Sequence, residues 1–264
     1  MKKNKIRYYS DYNEDYITTS NQDYTLPQDY KWIRSGPKAF LLSKLTYLAA
    51  YIAGGFYCRA VLHLRIKNKR ILKQEKKGIF VYGNHTQPFG DVIIPALACH
   101  PKRIYTVCSP SNLGIKGMGK ALPYLGALPT PDSINGIKKL NYAITQRIEQ
   151  NSALVIYPEA HVWEYYTKIR PFDHTSFAFP VKTNSPSYSM TSVYTKSKIF
   201  KRPILTLYMD GPFFADPTLS RREQAKQLRD KIYETMCKRS TQSNIDYIKY
   251  VYTPKTKKDS ATES

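Results

Sequence analysis

The sequence predicts an α/β fold, with a mixed, largely parallel sheet flanked by helices and preceded by a membrane-associated helical segment. Two observations carry that expectation. The runs Gly78–Tyr82 (GIFVY) and Ala153–Tyr157 (ALVIY) are short, wholly apolar and bounded by polar residues, as strands buried on both faces are. Segments of helical periodicity alternate with such runs, above all Ser133–Gln150, which places Ile134, Ile137, Leu140, Ala143, Ile144 and Ile148 on one face.

Taken in order, residues 1–35 form a polar extension rich in Tyr, Asp, Asn and Lys, with no apolar periodicity, and are expected to stay outside the core. Residues 36–58 are expected to be the membrane-associated segment. Residues 45–58 (LTYLAAYIAGGFYC) carry no charge, but these fourteen residues fall short of the roughly 20 needed to span a bilayer. Arg34, Lys38, Lys44, Arg59, Arg65 and Lys67 surround them, which suits a helix lying in one leaflet. A buried core helix is the alternative; a full span would have to bury Lys44 or Arg59. Residues 59–252 read as one α/β domain. Its further elements are a strand over Ala60–Ile66, a helix over Asp91–His100, strands over Arg103–Cys108 and Ile204–Met209, a basic amphipathic helix over Leu219–Arg239 and a last strand over Ile245–Val251. Residues 253–264 read as a flexible, polar tail.

The 41 Lys and Arg against 20 Asp and Glu give a net charge of +21, a field that draws nucleic acid, an anionic membrane leaflet or phosphorylated substrates. The 23 Tyr favour the headgroup layer of a bilayer, though the same ring stacks on bases. Zinc-finger spacing, a helix-turn-helix signature and a ribonucleoprotein aromatic motif are all missing from the sequence. A nucleic-acid partner is therefore not expected, and a basic nucleic-acid- or lipid-binding protein stands as the rival class. Four scattered cysteines (Cys58, Cys99, Cys108, Cys237) support neither a disulfide framework nor a zinc site, and suit reduced thiols on the cytoplasmic side. The basic N-terminus reaches no apolar run, so a secretory signal is not expected.

Both apolar strands end in polar clusters, where open sheets of this kind place ligands. GIFVY runs into Gly83-Asn84-His85-Thr86-Gln87-Pro88-Phe89-Gly90-Asp91, and ALVIY into Pro158-Glu159-Ala160-His161. If the turn folds back, the Asp91 carboxylate accepts one imidazole N–H of His85, fixes the tautomer and leaves the other nitrogen as a base. Such a base takes the proton from a substrate hydroxyl attacking a thioester, with no protein nucleophile required. A metal site from His85, Asp91, Glu159 and His161 is the competing use of these side chains, but they lack a tight ligand pair and no metal is expected.

These clusters resemble the glycerolipid (1-acylglycerol-3-phosphate) acyltransferase family. Its first signature, Asn-His-x4-Asp after a strand, is matched by Asn84-His85 and Asp91, with five intervening residues rather than four. Its third, Phe-Pro-Glu-Gly-Thr-Arg, is matched at the family's usual interval by Tyr157-Pro158-Glu159, followed here by Ala160-His161-Val162. Between them, residues 115–126 (IKGMGKALPYLG) are similar to the second block. Arg170-Pro171-Phe172 with Ser176-Phe177 follows the third, and the run through Ser192–Tyr194 stands for a more polar fourth. The resemblance covers roughly residues 40–210 in the family's order. It implies an acyltransferase with His85 as base and Asp91 as its orienting partner. Substrate contacts would come from Asn84, Glu159, His161, Arg170, Lys116 and Lys120. Acyl-coenzyme A or acyl carrier protein would be co-substrate, with no cofactor, and the acceptor a lysophospholipid-like lipid at the cytoplasmic face of a membrane. The family's phosphate-holding arginine is absent after Ala160; Arg170 or protonated His161 is the substitute, and an acceptor without phosphate (glycolipid, aminolipid or polyol) is the alternative. Gly90 is expected to absorb the extra residue as a positive-φ bulge. Backbone N–H groups after His85 are the candidates for holding an oxyanion, and an apolar groove between the sheet and the N-terminal helix would take the acyl chain.

Overall fold

The computed structural model describes residues 5–17 and 21–254. The chain opens with strand β1 (Lys5–Tyr9), then helix α1 (Pro37–Ala60), strand β2 (Arg65–Lys67), a short helix α2 (Arg70–Lys73), strand β3 (Ile79–Gly83), helix α3 (Gly90–Cys99) and strand β4 (Ile104–Cys108). Helix α4 (Leu122–Leu125), strand β5 (Ala127–Pro129), helix α5 (Ile134–Glu149) and strand β6 (Ala153–Ile156) follow. Helix α6 (Ala178–Thr183), strands β7 (Ser187–Thr195) and β8 (Ile204–Phe213), helix α7 (Arg221–Ser240) and strand β9 (Ile248–Tyr252) complete the order.

Seven strands form the main sheet in the order β2-β8-β7-β3-β6-β4-β5. Every pairing is parallel except β7 with β8, whose hairpin reverses β8 and, with it, the edge strand β2. The strand expected over Ala60–Ile66 shrinks to Arg65–Lys67, because α1 continues through Ala60 and the link to β2 is a tight turn. The last expected strand forms, but leaves the main sheet to pair in parallel with β1.

Alternation along the central strands divides the core. Ile79 and Val81 of β3, with Ala153 and Val155 of β6, face the side covered by α1 and α3. Phe80 and Tyr82, with Leu154 and Ile156, face the side covered by α5, α6 and α7. β7 escapes the apolar-run criterion because its buried side chains alternate. Tyr188, Met190 and Tyr194 join the first cluster, while Ser187, Ser189 and Thr191 occupy alternate positions, and α7 packs on the strand. The polar N-terminal stretch does reach the core: Tyr30 and Trp32 are buried, and the Trp32 indole donates to the Pro129 carbonyl at 2.9 Å. The aromatic rings carry that burial, which a count of polar residues hides.

Helix α1 is not a core helix. Only 6% of its most apolar stretch is buried, and Phe40, Leu41, Leu45, Leu48, Ile52 and Phe56 are more than half exposed. Its inner face is fixed in two ways. A Cβ at Gly54 would stand 2.7 Å from the Ile93 side chain, so glycine lets α1 and α3 approach. Arg103 lies 3.7 Å from the Tyr47 ring centroid and donates to Ser43 Oγ at 2.9 Å.

The Ser189 hydroxyl is fully buried and has no hydrogen-bond partner among the described residues. Ser189→Ala is therefore expected to unfold at no lower denaturant concentration than the parent. A loss of about 1 kcal/mol or more would show the hydroxyl to be bonded.

Candidate active site

His85 follows β3 at the carboxyl edge of the sheet, and Glu159 follows β6 at the same edge. The in-register pairing of Tyr82 with Ile156 starts both polar clusters side by side. The imidazole Nδ1 of His85 lies 2.7 Å from Asp91 Oδ2. That oxygen also accepts the backbone N–H groups of Thr86 (2.8 Å) and Gln87 (2.9 Å). With two backbone N–H groups already donating to it, Oδ2 accepts from Nδ1 as well, so in the neutral ring the proton sits on Nδ1 and the lone pair on Nε2. Among the described residues nothing bonds Nε2, and the ring is 20% exposed.

The extra residue between His85 and Asp91 is absorbed without a bulge. Asp91 N–H donates to the Gln87 carbonyl at 2.9 Å, so Gln87–Gly90 already makes the first helical turn. Gly90 is not among the positive-φ glycines. What it supplies is room: a Cβ there would meet Gln87 at 2.8 Å and Leu62 and Ile94 at 3.0 Å. The same turn takes two of the expected oxyanion donors, since Thr86 and Gln87 give their N–H groups to Asp91 and Pro88 has none.

Tyr157, at the end of β6, stacks on the imidazole with centroids 4.4 Å apart, and its hydroxyl donates to the Asp91 carbonyl at 2.8 Å. Burial and the Asp91 charge push this phenol well above its ordinary value, so it stays protonated. Tyr194 of β7 bonds the Thr86 hydroxyl at 2.7 Å and accepts from Gln87 Nε2 at 3.0 Å. Tyr157 and Tyr194 lie inside the third and fourth blocks, and nothing in the sequence beyond that position marks these contacts.

Glu159 lies behind His85 rather than in front of it. Its Oε2 accepts the His85 backbone N–H at 3.2 Å and the Arg170 guanidinium at 3.0 Å; its Oε1 accepts the Arg170 N–H at 3.0 Å. Burial pushes this carboxyl up, against the downward pull of Arg170 and the two backbone donors. Arg170 is 1% exposed; its terminal nitrogens also donate to the carbonyls of Tyr12 and His161, its Nε has no partner among the described residues, and its guanidinium sits 4.8 Å from the Trp163 ring centroid. In this arrangement Arg170 is the counter-charge of Glu159 and presents no exposed cation to a phosphate. His161 is partly exposed, with Nδ1 3.6 Å from Asp15. Asn84 is buried, and its carboxamide exchanges two hydrogen bonds with the backbone of Ser192 (3.2 and 2.8 Å), extending the β3–β7 ladder by one rung. Lys116 and Lys120 are exposed on the turns before α4. Among the described residues, no three or more His, Cys, Asp or Glu side chains converge as a metal cluster. Burial pushes the Cys58 thiol up to about 11 and those of Cys99 and Cys108 to about 12, so none is a ready nucleophile.

The expected acyl groove is nearly closed. Between α1 and α3, Tyr47, Tyr51, Val92, Ile93 and Ala96 line an apolar crevice of about 10 Å³.

No protein-family model matches the chain, and no curated protein matches it. Among solved structures it is similar to the crystal structure of the 1-acyl-sn-glycerophosphate (LPA) acyltransferase PlsC from Thermotoga maritima. The TM-score is 0.48 at 13% identity, over 79% of this chain and 98% of that one.

Glu159→Gln would leave the Arg170 guanidinium buried beside a neutral amide. Global stability is expected to fall by about 3 kcal/mol or more in denaturant titration, because one half of a buried pair is then uncompensated. A change below about 1 kcal/mol would mean the guanidinium finds water.

Proposed function

We propose that the chain is an O-acyltransferase that moves a fatty acyl group from acyl-coenzyme A or acyl carrier protein to a hydroxyl at a membrane surface. The observation that carries this is the His85–Asp91 pair at 2.7 Å, with Nε2 free at the carboxyl edge of the sheet. His85 Nε2 takes the proton of the acceptor hydroxyl as its oxygen attacks the thioester carbonyl. The tetrahedral intermediate then collapses, the C–S bond breaks, and the thiolate leaves with the proton that His85 held. Asp91 holds the tautomer and stabilises the transient imidazolium. Glu159 acts as a positioning residue, through the His85 backbone N–H.

The outward side of α1, with Phe89 beside the site turn, offers apolar surface to a bilayer. The acyl chain would enter by parting α1 from α3 at the crevice beside Val92 and Ile93, which directly follow Asp91. His85→Ala is expected to lower turnover of acyl-coenzyme A with a hydroxyl acceptor by about 10²–10⁴-fold while leaving thermal unfolding almost unchanged. Undiminished turnover in that variant would remove the base assignment.

The acceptor follows from Arg170. With its guanidinium held by Glu159, His161 and Tyr12, the substitute for the family's phosphate-binding arginine is occupied. A lipid acceptor without a phosphomonoester, such as a glycolipid, aminolipid or polyol, is therefore preferred over lysophosphatidic acid. A panel of acceptors with labelled acyl-coenzyme A is expected to give higher kcat/KM for the phosphate-free members. A clear preference for lysophosphatidic acid would reverse this, and would point to Lys116 and Lys120 as the phosphate contacts.

A further inference from the structure

The β7–β8 hairpin carries a feature that the acyl-transfer reading does not use. Its tip, Lys196-Ser197-Lys198-Ile199-Phe200-Lys201-Arg202-Pro203, holds four cations and no carboxylate around two adjacent apolar residues. Ile199 is 86% exposed and Phe200 46% exposed. The tip is shaped rather than loose. The Ser197 hydroxyl accepts the N–H groups of Ile199 (3.1 Å) and Phe200 (2.8 Å), and Lys196 N–H donates to Asn244 Oδ1 at 2.8 Å. Phe200 stacks on the imidazole of His63, centroids 3.5 Å apart, just past the end of α1, and Leu205 N–H donates to the Leu62 carbonyl at 3.2 Å.

Topology fixes where this tip lies. β7 runs parallel to β3, so the hairpin leaves the sheet at the carboxyl edge, the edge that carries His85. β2 runs parallel to β8, so the end of α1 arrives at that edge as well. The exposed residues of α1 near its end (Ile52, Phe56), Phe89 on the site turn and Ile199–Phe200 therefore share one end of the molecule.

We propose that the 196–203 hairpin tip is a second membrane anchor. Ile199 and Phe200 enter the headgroup layer, and Lys196, Lys198, Lys201 and Arg202 meet the anionic lipid phosphates around them. Charge complementarity selects an anionic bilayer over an apolar protein groove as the occupant, since four flanking cations would oppose burial in the latter. Lying against the end of α1, the tip widens the membrane contact of that helix along the carboxyl edge of the sheet. The proposal does not require the chain to be an acyltransferase, and its test involves no turnover.

The test is vesicle flotation of the full chain on phosphatidylcholine, with and without phosphatidylglycerol, with thermal unfolding as the folding control. The parent is expected to prefer the anionic vesicles. Ile199→Ser/Phe200→Ser should lower partition into them about tenfold or more at unchanged unfolding temperature. Lys198→Gln/Lys201→Gln should lose about fivefold per cation removed, on anionic vesicles only. Parent-like flotation of the Ile199→Ser/Phe200→Ser variant would overturn the proposal, as would a parent that floats with neither vesicle. A change confined to self-association in sedimentation would overturn it too, assigning the tip to contact between copies.

Discussion

A single carboxylate oxygen organises the site. Asp91 Oδ2 accepts the His85 ring and two successive backbone N–H groups, so the polypeptide must turn back on itself immediately after β3. That turn does three things at once. It starts α3, it fixes the imidazole tautomer, and it gives a buried carboxylate the donors it needs in place of water. The pairing of β3 with β6 adds the second clamp. Glu159 takes the His85 backbone N–H, and the Trp163 N–H donates to the His85 carbonyl at 3.0 Å. His85 is thus held by ring, N–H and carbonyl, leaving one nitrogen free.

The loop that supplies this clamp is built around an ion pair withdrawn from solvent. Burying Glu159 and Arg170 is costly, and their mutual bond offsets that cost although Arg170 Nε has no partner among the described residues. The N-terminal segment adds one bond to the pair and covers the loop around it. Tyr12 lends its carbonyl to Arg170, the Trp163 indole donates to the Glu14 carbonyl at 2.8 Å, and Arg7 pairs with Glu164. Tyr9, Tyr12, Tyr16 and Tyr250 pack their rings on Trp163. Much of the unusual tyrosine content is spent inside, on this cluster and on the turn after His85, rather than on a headgroup layer.

How much of this could be read in the sequence depends on how local its cause is. GIFVY and ALVIY announce themselves because a strand buried on both faces has a continuous apolar run. The meeting of His85 with Asp91 was also legible, being a matter of one turn. The way the turn closes was not, since whether Gly90 bends or merely makes room depends in part on Leu62, which arrives from the link after α1. β7 was illegible for a related reason. Its alternating Ser and Thr look solvated until α7 is laid over them. The surroundings of Arg170 are hidden from the sequence on the same ground. A guanidinium eleven residues from Glu159 reads as a free cation, and only the fold reveals that both are taken out of water together.

The pairing of β1 with β9 joins residues Lys5–Tyr9 to Ile248–Tyr252. The outer wall of the Trp163 loop is therefore made from the two most distant described parts of the polypeptide. During synthesis the first strand must wait for its mate until residues 248–252 have left the ribosome. Until then the Arg170 loop lacks its cover, so the loop that holds the His85 backbone through Glu159 is the last to be enclosed.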